Sequence, residues 1–231
     1  MKVTMGIIVS EARGKVSGNV FSKNKGGAIV RNRVTPINRR SASQQNQRQQ
    51  LAALAASWRG LTEAQRVGWN AASPNFPQSD NLGQTIFLSG EQLYVRCNLN
   101  LLLIGQAQIT DAPTPTSFDV LGFTSLLPTA DDGAIALAFT PTVPAGFTMV
   151  VRATPPYSAG KSFVPQSAFR FIDAIAAAAT SPQAIGPAYA AVNGAITGAT
   201  GQKIAVEMFL VENASGLAGI PVRGVGVVLA T

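Results

Sequence analysis

Few residues of this chain can do covalent or proton-transfer chemistry, and their spacing removes most of what they could do. Histidine is absent from all 231 residues. Imidazole therefore serves nowhere as base, acid or metal ligand, which excludes most hydrolase triads and most zinc sites. Cys97 is the single cysteine, so no internal disulfide or thiolate cluster can form. With no second cysteine or histidine to activate it, it reads as a small core hydrophobe. Gly160-Lys161-Ser162 imitates the end of a phosphate-binding loop, but Pro155 stands where the first glycine belongs, and Val164-Pro165 follows where a helix should start. Asp131-Asp132-Gly133 lacks the alternating oxygen ligands of a calcium loop and reads as a turn. Asp173, Glu207 and Glu212 are too scattered to name an acid and base. Asn213-Ala214-Ser215 fits a glycosylation sequon, which matters only on a secretory route. The expectation is a protein that is not an enzyme, with no cofactor and no metal.

What remains is charge, and it is unevenly placed. Residues 1–100 hold thirteen Lys and Arg against four Asp and Glu, whereas residues 101–231 hold five against seven. The first forty residues carry nine basic groups against Glu11 alone. Such asymmetry suggests a surface that meets polyanion or an acidic partner. The candidate contact residues are Lys15, Lys23, Lys25, Arg31, Arg33, Arg39 and Arg40. The plainer alternative is a solvated face.

Residues 1–40 must position those charges. Two β-rich runs, 16–22 and 28–34, flank a Lys-Asn-Lys-Gly-Gly turn in which Gly26 and Gly27 supply positive φ. A hairpin this short is marginal alone and must pack on something.

Residues 41–105 read as a helical domain. Ser41 with Gln44 forms a capping box, and Leu51, Leu54, Ala55 and Trp58 then fall on one apolar stripe that Gly60 ends. Thr62 with Gln65 opens a second helix, whose apolar residues include Val67, Trp69, Ala71 and Ala72 before Pro74 closes it. Ser89 with Gln92 opens a third over 90–104, with Tyr94, Cys97, Leu101 and Ile104 along one face. The expected helical core is Leu51, Leu54, Trp58, Val67, Trp69, Tyr94 and Cys97. The first two helices could instead be a helix-turn-helix that reads DNA through Gln65, Arg66 and Asn70, against a packed scaffold hairpin.

DAPTPTSF has no period, so 106–116 reads as a linker. Beyond it, β-rich runs at 134–140, 148–153, 168–172, 203–211 and 222–229 alternate with turn signals. They suggest an all-β immunoglobulin-like sandwich over 117–231. The alanine run 174–179 decides little. The expected fold class is therefore α+β: a small basic N-terminal region of hairpin plus about three helices, then a sandwich. No run is long enough to span a bilayer. The opening MKVTMGIIVSEA has too brief an apolar core to suggest a cleaved signal peptide.

GKVSGNVFSKNKGGAIVRNRVTPIN, WRGLTEAQRVGWN, SGEQLYVRCNLNLLLIG and ITDAP together resemble uncharacterised proteins encoded by phages and prophages. These pair a basic hairpin and helices with an immunoglobulin- or fibronectin-like domain. The WxxLTxxQRxxW pattern is the most specific mark, and the resemblance covers nearly the whole chain. It implies a virion or assembly role and no catalysis. The expected function is a structural protein of a bacteriophage particle, made in the host cytoplasm. It would be a homo-oligomer in the capsid or tail, for instance a decoration protein, with partners among its own copies and other virion proteins and no membrane. The alternatives are nucleic-acid binding through the basic region, or tail adhesion by a carbohydrate-binding module using Phe147, Tyr157, Phe163, Phe169 and Phe171.

Overall fold

The computed structural model describes residues 12–24, 27–35, 37–38, 40–79, 85–130 and 133–230. It is a mixed α+β protein, with four α-helices and antiparallel sheets among the described residues. The chain divides into two compact units, residues 1–46 and 47–231.

The first unit is built on a three-stranded sheet of β1 (Gly14–Val16), β2 (Asn19–Asn24) and β3 (Gly27–Asn32), in that order. The β2–β3 pair is the expected hairpin, with its central turn residues Lys25 and Gly26 outside the described residues. Strand β1 is additional. It turns into β2 through Ser17 and Gly18, with Ser17 at φ 52. This two-residue connection keeps Lys15 opposite Val20, and Val20 opposite Arg31.

The helices follow their capping signals. Helix α1 (Ala42–Gly60) starts after Ser41, whose Oγ accepts from the Gln44 N–H at 3.4 Å. Helices α2 (Glu63–Ala72) and α3 (Gly90–Leu103) each begin with a complete capping box, Thr62 with Gln65 and Ser89 with Gln92. Leu54, Leu61, Trp69, Leu93, Tyr94 and Cys97 are buried together, and Trp58 packs on them half-buried. Tyr94 receives Trp69 edge-on at 5.3 Å and Trp58 tilted at 5.5 Å.

Leu51 and Val67 are not in that core. Leu51 is 44% exposed because the stripe that packs is Leu54, Trp58 and Leu61, toward the C-terminal end of α1. Val67 is 55% exposed because it lies two residues from Trp69. That is roughly 200° around the helix, and both cannot face inward.

After the short pair β4 (Gln78–Ser79) and β5 (Thr85–Ile86), and then α3, the β-rich part begins. Its strands are β6 (Gly122–Pro128), β7 (Ile135–Thr140), β8 (Phe147–Ala153), β9 (Arg170–Ile175), β10 (Gln183–Ala184), β11 (Lys203–Glu212) and β12 (Val222–Val227). They form two antiparallel sheets, ordered β10-β7-β6 and β12-β11-β8-β9. Leu126, Leu137 and Phe139 from one sheet share a core with Met149, Val151, Val206 and Met208 from the other. Helix α4 (Gly186–Asn193) joins β10 to β11 and adds Tyr189 to that core.

Strands β8 and β11 are covered on both faces, which explains the near-continuous apolar run of KIAVEMFLVE. Their second face, with Val150, Phe209 and Val211, lies under Leu103 and Ile104 at the end of α3. The helices and sheets therefore form one compact unit, where a helical domain, a linker and a separate β domain were expected. Gly216 shows how close the two parts come. At φ +70 it sits against Cys97 of α3 so tightly that a Cβ would overlap the Cys97 carbonyl. The Asn100 side chain donates to the Gly216 carbonyl at 2.8 Å.

Candidate functional site

Two places gather the basic residues. The first is the N-terminal sheet. Cross-strand register puts Lys15, Val20 and Arg31 in one row, and alternation along the chain adds Arg33 to the same side. These residues line an open groove of about 620 Å³ with Asn32, Val34 and Thr35. Lys15, Arg31 and Arg33 are exposed. Arg40 is exposed too, with its backbone N–H donating to Asn38 Oδ1 at 3.2 Å. Lys23 lies in β2, and Lys25 and Arg39 lie outside the described residues.

The second place emerges only in three dimensions. Glu207 sits mid-strand in β11, directly opposite Arg152 of β8 on one side and Arg223 of β12 on the other. Its carboxylate is 1% exposed and accepts from Arg223 Nε at 3.0 Å, with Arg152 Nη1 at 3.7 Å. Gln166 completes the shell: its Nε2 donates to both carboxylate oxygens, at 3.1 and 3.3 Å, and its Oε1 accepts from Arg223 Nη2. Each guanidinium also lies over a phenyl ring at 4.9 Å, Arg152 on Phe209 and Arg223 on Phe169. The sequence held one signal for this row. A lone carboxylate inside an apolar strand must find cationic partners, and the strands on either side carry one arginine each.

No family model, characterised protein or solved structure matches this chain. What its sites can do must come from their own geometry.

The side chains proposed to read DNA are engaged within the fold. Gln65 caps α2 and donates to Asp111 at 3.2 Å, Arg66 pairs with Glu63 at 3.1 Å, and Asn70 Oδ1 accepts from the Gly90 N–H at 3.1 Å. Among the scattered carboxylates, Glu212 accepts from Thr116 and Ser215, and Asp173 accepts from the Ala174 N–H. Asn213 of the sequon accepts from Thr148 Oγ1 at 2.7 Å, and Ser215 is buried. Cys97 is buried in the helical core, and desolvation pushes its thiol up to about 12, with Arg96 opposing weakly. Burial likewise raises Tyr94 and Tyr189, and Tyr189 donates to the Thr154 carbonyl at 2.8 Å. Phe147 packs on Phe118, Phe169 lies under Arg223, and Tyr157 has Lys161 over its ring; Phe163 is the most exposed of that aromatic set. No group of three or more potential metal ligands occurs among the described residues, and no helix there is long and apolar enough to cross a membrane. The arrangement suits recognition of anionic groups by fixed guanidiniums.

Proposed function

We propose that the protein is a non-enzymatic structural component of a bacteriophage particle, present in many copies on the capsid or tail. The reading begins from the phage-type stretches of the sequence, and the N-terminal unit is the observation that supports it. Residues 1–46 form a compact unit of their own, carried by a sheet of three short strands. Its two ladders bury little, Val16 is 62% exposed, and Lys15, Arg31 and Arg33 crowd one side. So small a cationic sheet gains most of its order from a partner surface, and a neighbouring subunit supplies apolar and acidic groups together.

The finer fold reading belongs with this proposal. The orders β6-β7-β10 and β9-β8-β11-β12 suit a fibronectin-like sandwich of three strands on four, with immunoglobulin-like connectivity. That architecture tolerates loop variation at both ends and serves well as a repeated surface module.

Mass spectrometry of purified particles is the direct test. The protein should appear at a fixed stoichiometry to the major shell or tail protein, and its absence from intact particles would overturn the proposal. A second reading has an observation of its own: the row Lys15, Arg31 and Arg33 could track phosphates. It requires DNA affinity that falls steeply with salt. No gel shift at low ionic strength removes it.

A further inference from the structure

The groove above Glu207 combines features that an internal ion pair does not need. One carboxylate holds two guanidiniums in a row, yet their side chains stay 32% and 49% exposed. Each retains N–H donors beyond those that Glu207 and Gln166 take up. Helix α3 brings Arg96 to the same groove, which has a volume of about 380 Å³. Arg96 makes no ion pair among the described residues. Three guanidiniums against one carboxylate leave a surplus of positive charge, beside a wall formed by Ala218 and Pro221.

We propose that this groove binds an extended peptide segment of a partner protein through an acidic side chain flanked by an apolar residue. A planar guanidinium fork matches a carboxylate in two-point geometry, and stacking on Phe169 and Phe209 holds two of the forks in place beforehand. The short carbon stem of an Asp or Glu meets the apolar wall, which a hydrated inorganic anion cannot use. Ile220, 87% exposed and next to Pro221, offers the flanking residue a contact. An acidic sugar fits less well, because the two phenyl faces on which it would stack are covered by Arg152 and Arg223. Single-stranded nucleic acid needs open stacking rings for the same reason. The inference stands on the groove alone and does not depend on the particle role.

The test is a titration of the full chain with the blocked peptide acetyl-Ala-Leu-Glu-Ala-amide, followed at the arginine Nε–H signals by NMR. Saturable shifts at Arg96, Arg152 and Arg223 are expected. The peptide with Gln in place of Glu should bind about tenfold more weakly, as loss of a charge-assisted hydrogen bond implies. Arg96→Gln should weaken the Glu peptide by a similar factor while leaving the unfolding midpoint unchanged. Absence of saturable shifts, or equal affinity for the Glu and Gln peptides on the unmodified chain, overturns the proposal. So does equal binding of inorganic phosphate or glucuronate, which would reveal an unselective oxyanion site.

Discussion

Trp69 donates its indole N–H to the backbone carbonyl of Thr110 at 2.8 Å, across forty-one residues of sequence. The contact fastens α2 to the segment expected to be a linker. Asn98 does the same from α3: fully buried, it accepts from the Ile109 N–H at 2.8 Å and donates to the Ile109 carbonyl at 3.3 Å. Gln65 reaches Asp111, and Thr116 reaches Glu212 of β11. Segment 106–116 is thus a strap in which Ile109 and Thr110 have backbone groups satisfied by side chains of α3 and α2, while Asp111 and Thr116 are held through their side chains. It ties the helices to the sheets.

The strap sets what the two tryptophans are worth. Trp69→Ala is expected to cost about 3–5 kcal/mol, since it opens a cavity at the centre of the helical core. Trp69→Phe keeps a ring but leaves the Thr110 carbonyl without its donor, for about 1–3 kcal/mol. Trp58→Ala should cost clearly less, because its ring is half-buried. Urea unfolding followed by circular dichroism measures all three. Equal losses for the two alanine variants would contradict this ordering.

How far these features were legible depends on the range of the physics involved. Capping boxes are local, and Thr62–Gln65 and Ser89–Gln92 were readable because hydroxyl and amide act within one turn. The cores of β7, β8 and β11 followed from their apolar runs. Leu51 misled because periodicity offers a stripe without saying how much of it a partner covers, and Val67 because an apolar residue two positions from Trp69 cannot share its inward face. Strand β6 and helix α4 carry no strong period, and tertiary packing decides them. Segment 106–116 looked like a linker because Pro and Thr have no pattern, while the groups that hold it, Trp69 and Asn98, lie far away in sequence. The Arg152–Glu207–Arg223 row required strand register, which composition does not contain.

Cys97 offers a pH readout of the helical core. Its thiol is raised from the model-compound value of 9.0 to about 12, chiefly by desolvation. A raised folded-state value favours the protonated form, so its stabilising contribution is complete below pH 9. That contribution is then lost progressively as pH rises toward 12. Denaturation midpoints of the unmodified chain should fall across this window, and those of Cys97→Ala should fall less. Alkylation by iodoacetamide at pH 8 should be negligible until the chain is unfolded. Rapid labelling of the native protein at pH 8 would show the thiol to be accessible.

Strand β12 places its side chains in an unusual sense. Val225 and Val227 point outward and are exposed, while Gly224 and Gly226 pair with the core-facing Val206 and Ile204. The reason is β6: a Cβ on Gly226 would overlap the Leu126 carbonyl, and one on Gly224 would enter the Phe123 ring. Gly226→Ala collides with backbone and is expected to cost about 1–3 kcal/mol or more. Gly224→Ala should cost less, since the half-buried Phe123 ring can move. Thermal unfolding of both variants decides it, and a neutral Gly226→Ala would mean the sheets are further apart at this edge.

The basic arm separates assembly from folding. Because residues 47–231 are a compact unit with their own core, deletion of residues 1–40 should leave the unfolding free energy of the remainder within about 0.5 kcal/mol of the full chain. If the arm grips a neighbouring subunit, the truncated protein should stay soluble yet fail to enter particles, whether or not these contain DNA. Charge reversal at Arg31 and Arg33, which share one side of the sheet with Lys15, should reproduce that defect without removing the strands. If the arm instead neutralises DNA, truncation should spare incorporation into empty particles and reduce only that into filled ones. Salt alone cannot distinguish the two, because screening weakens both contacts. Incorporation of the truncated chain at the normal level into both kinds of particle would exclude the arm as an assembly element.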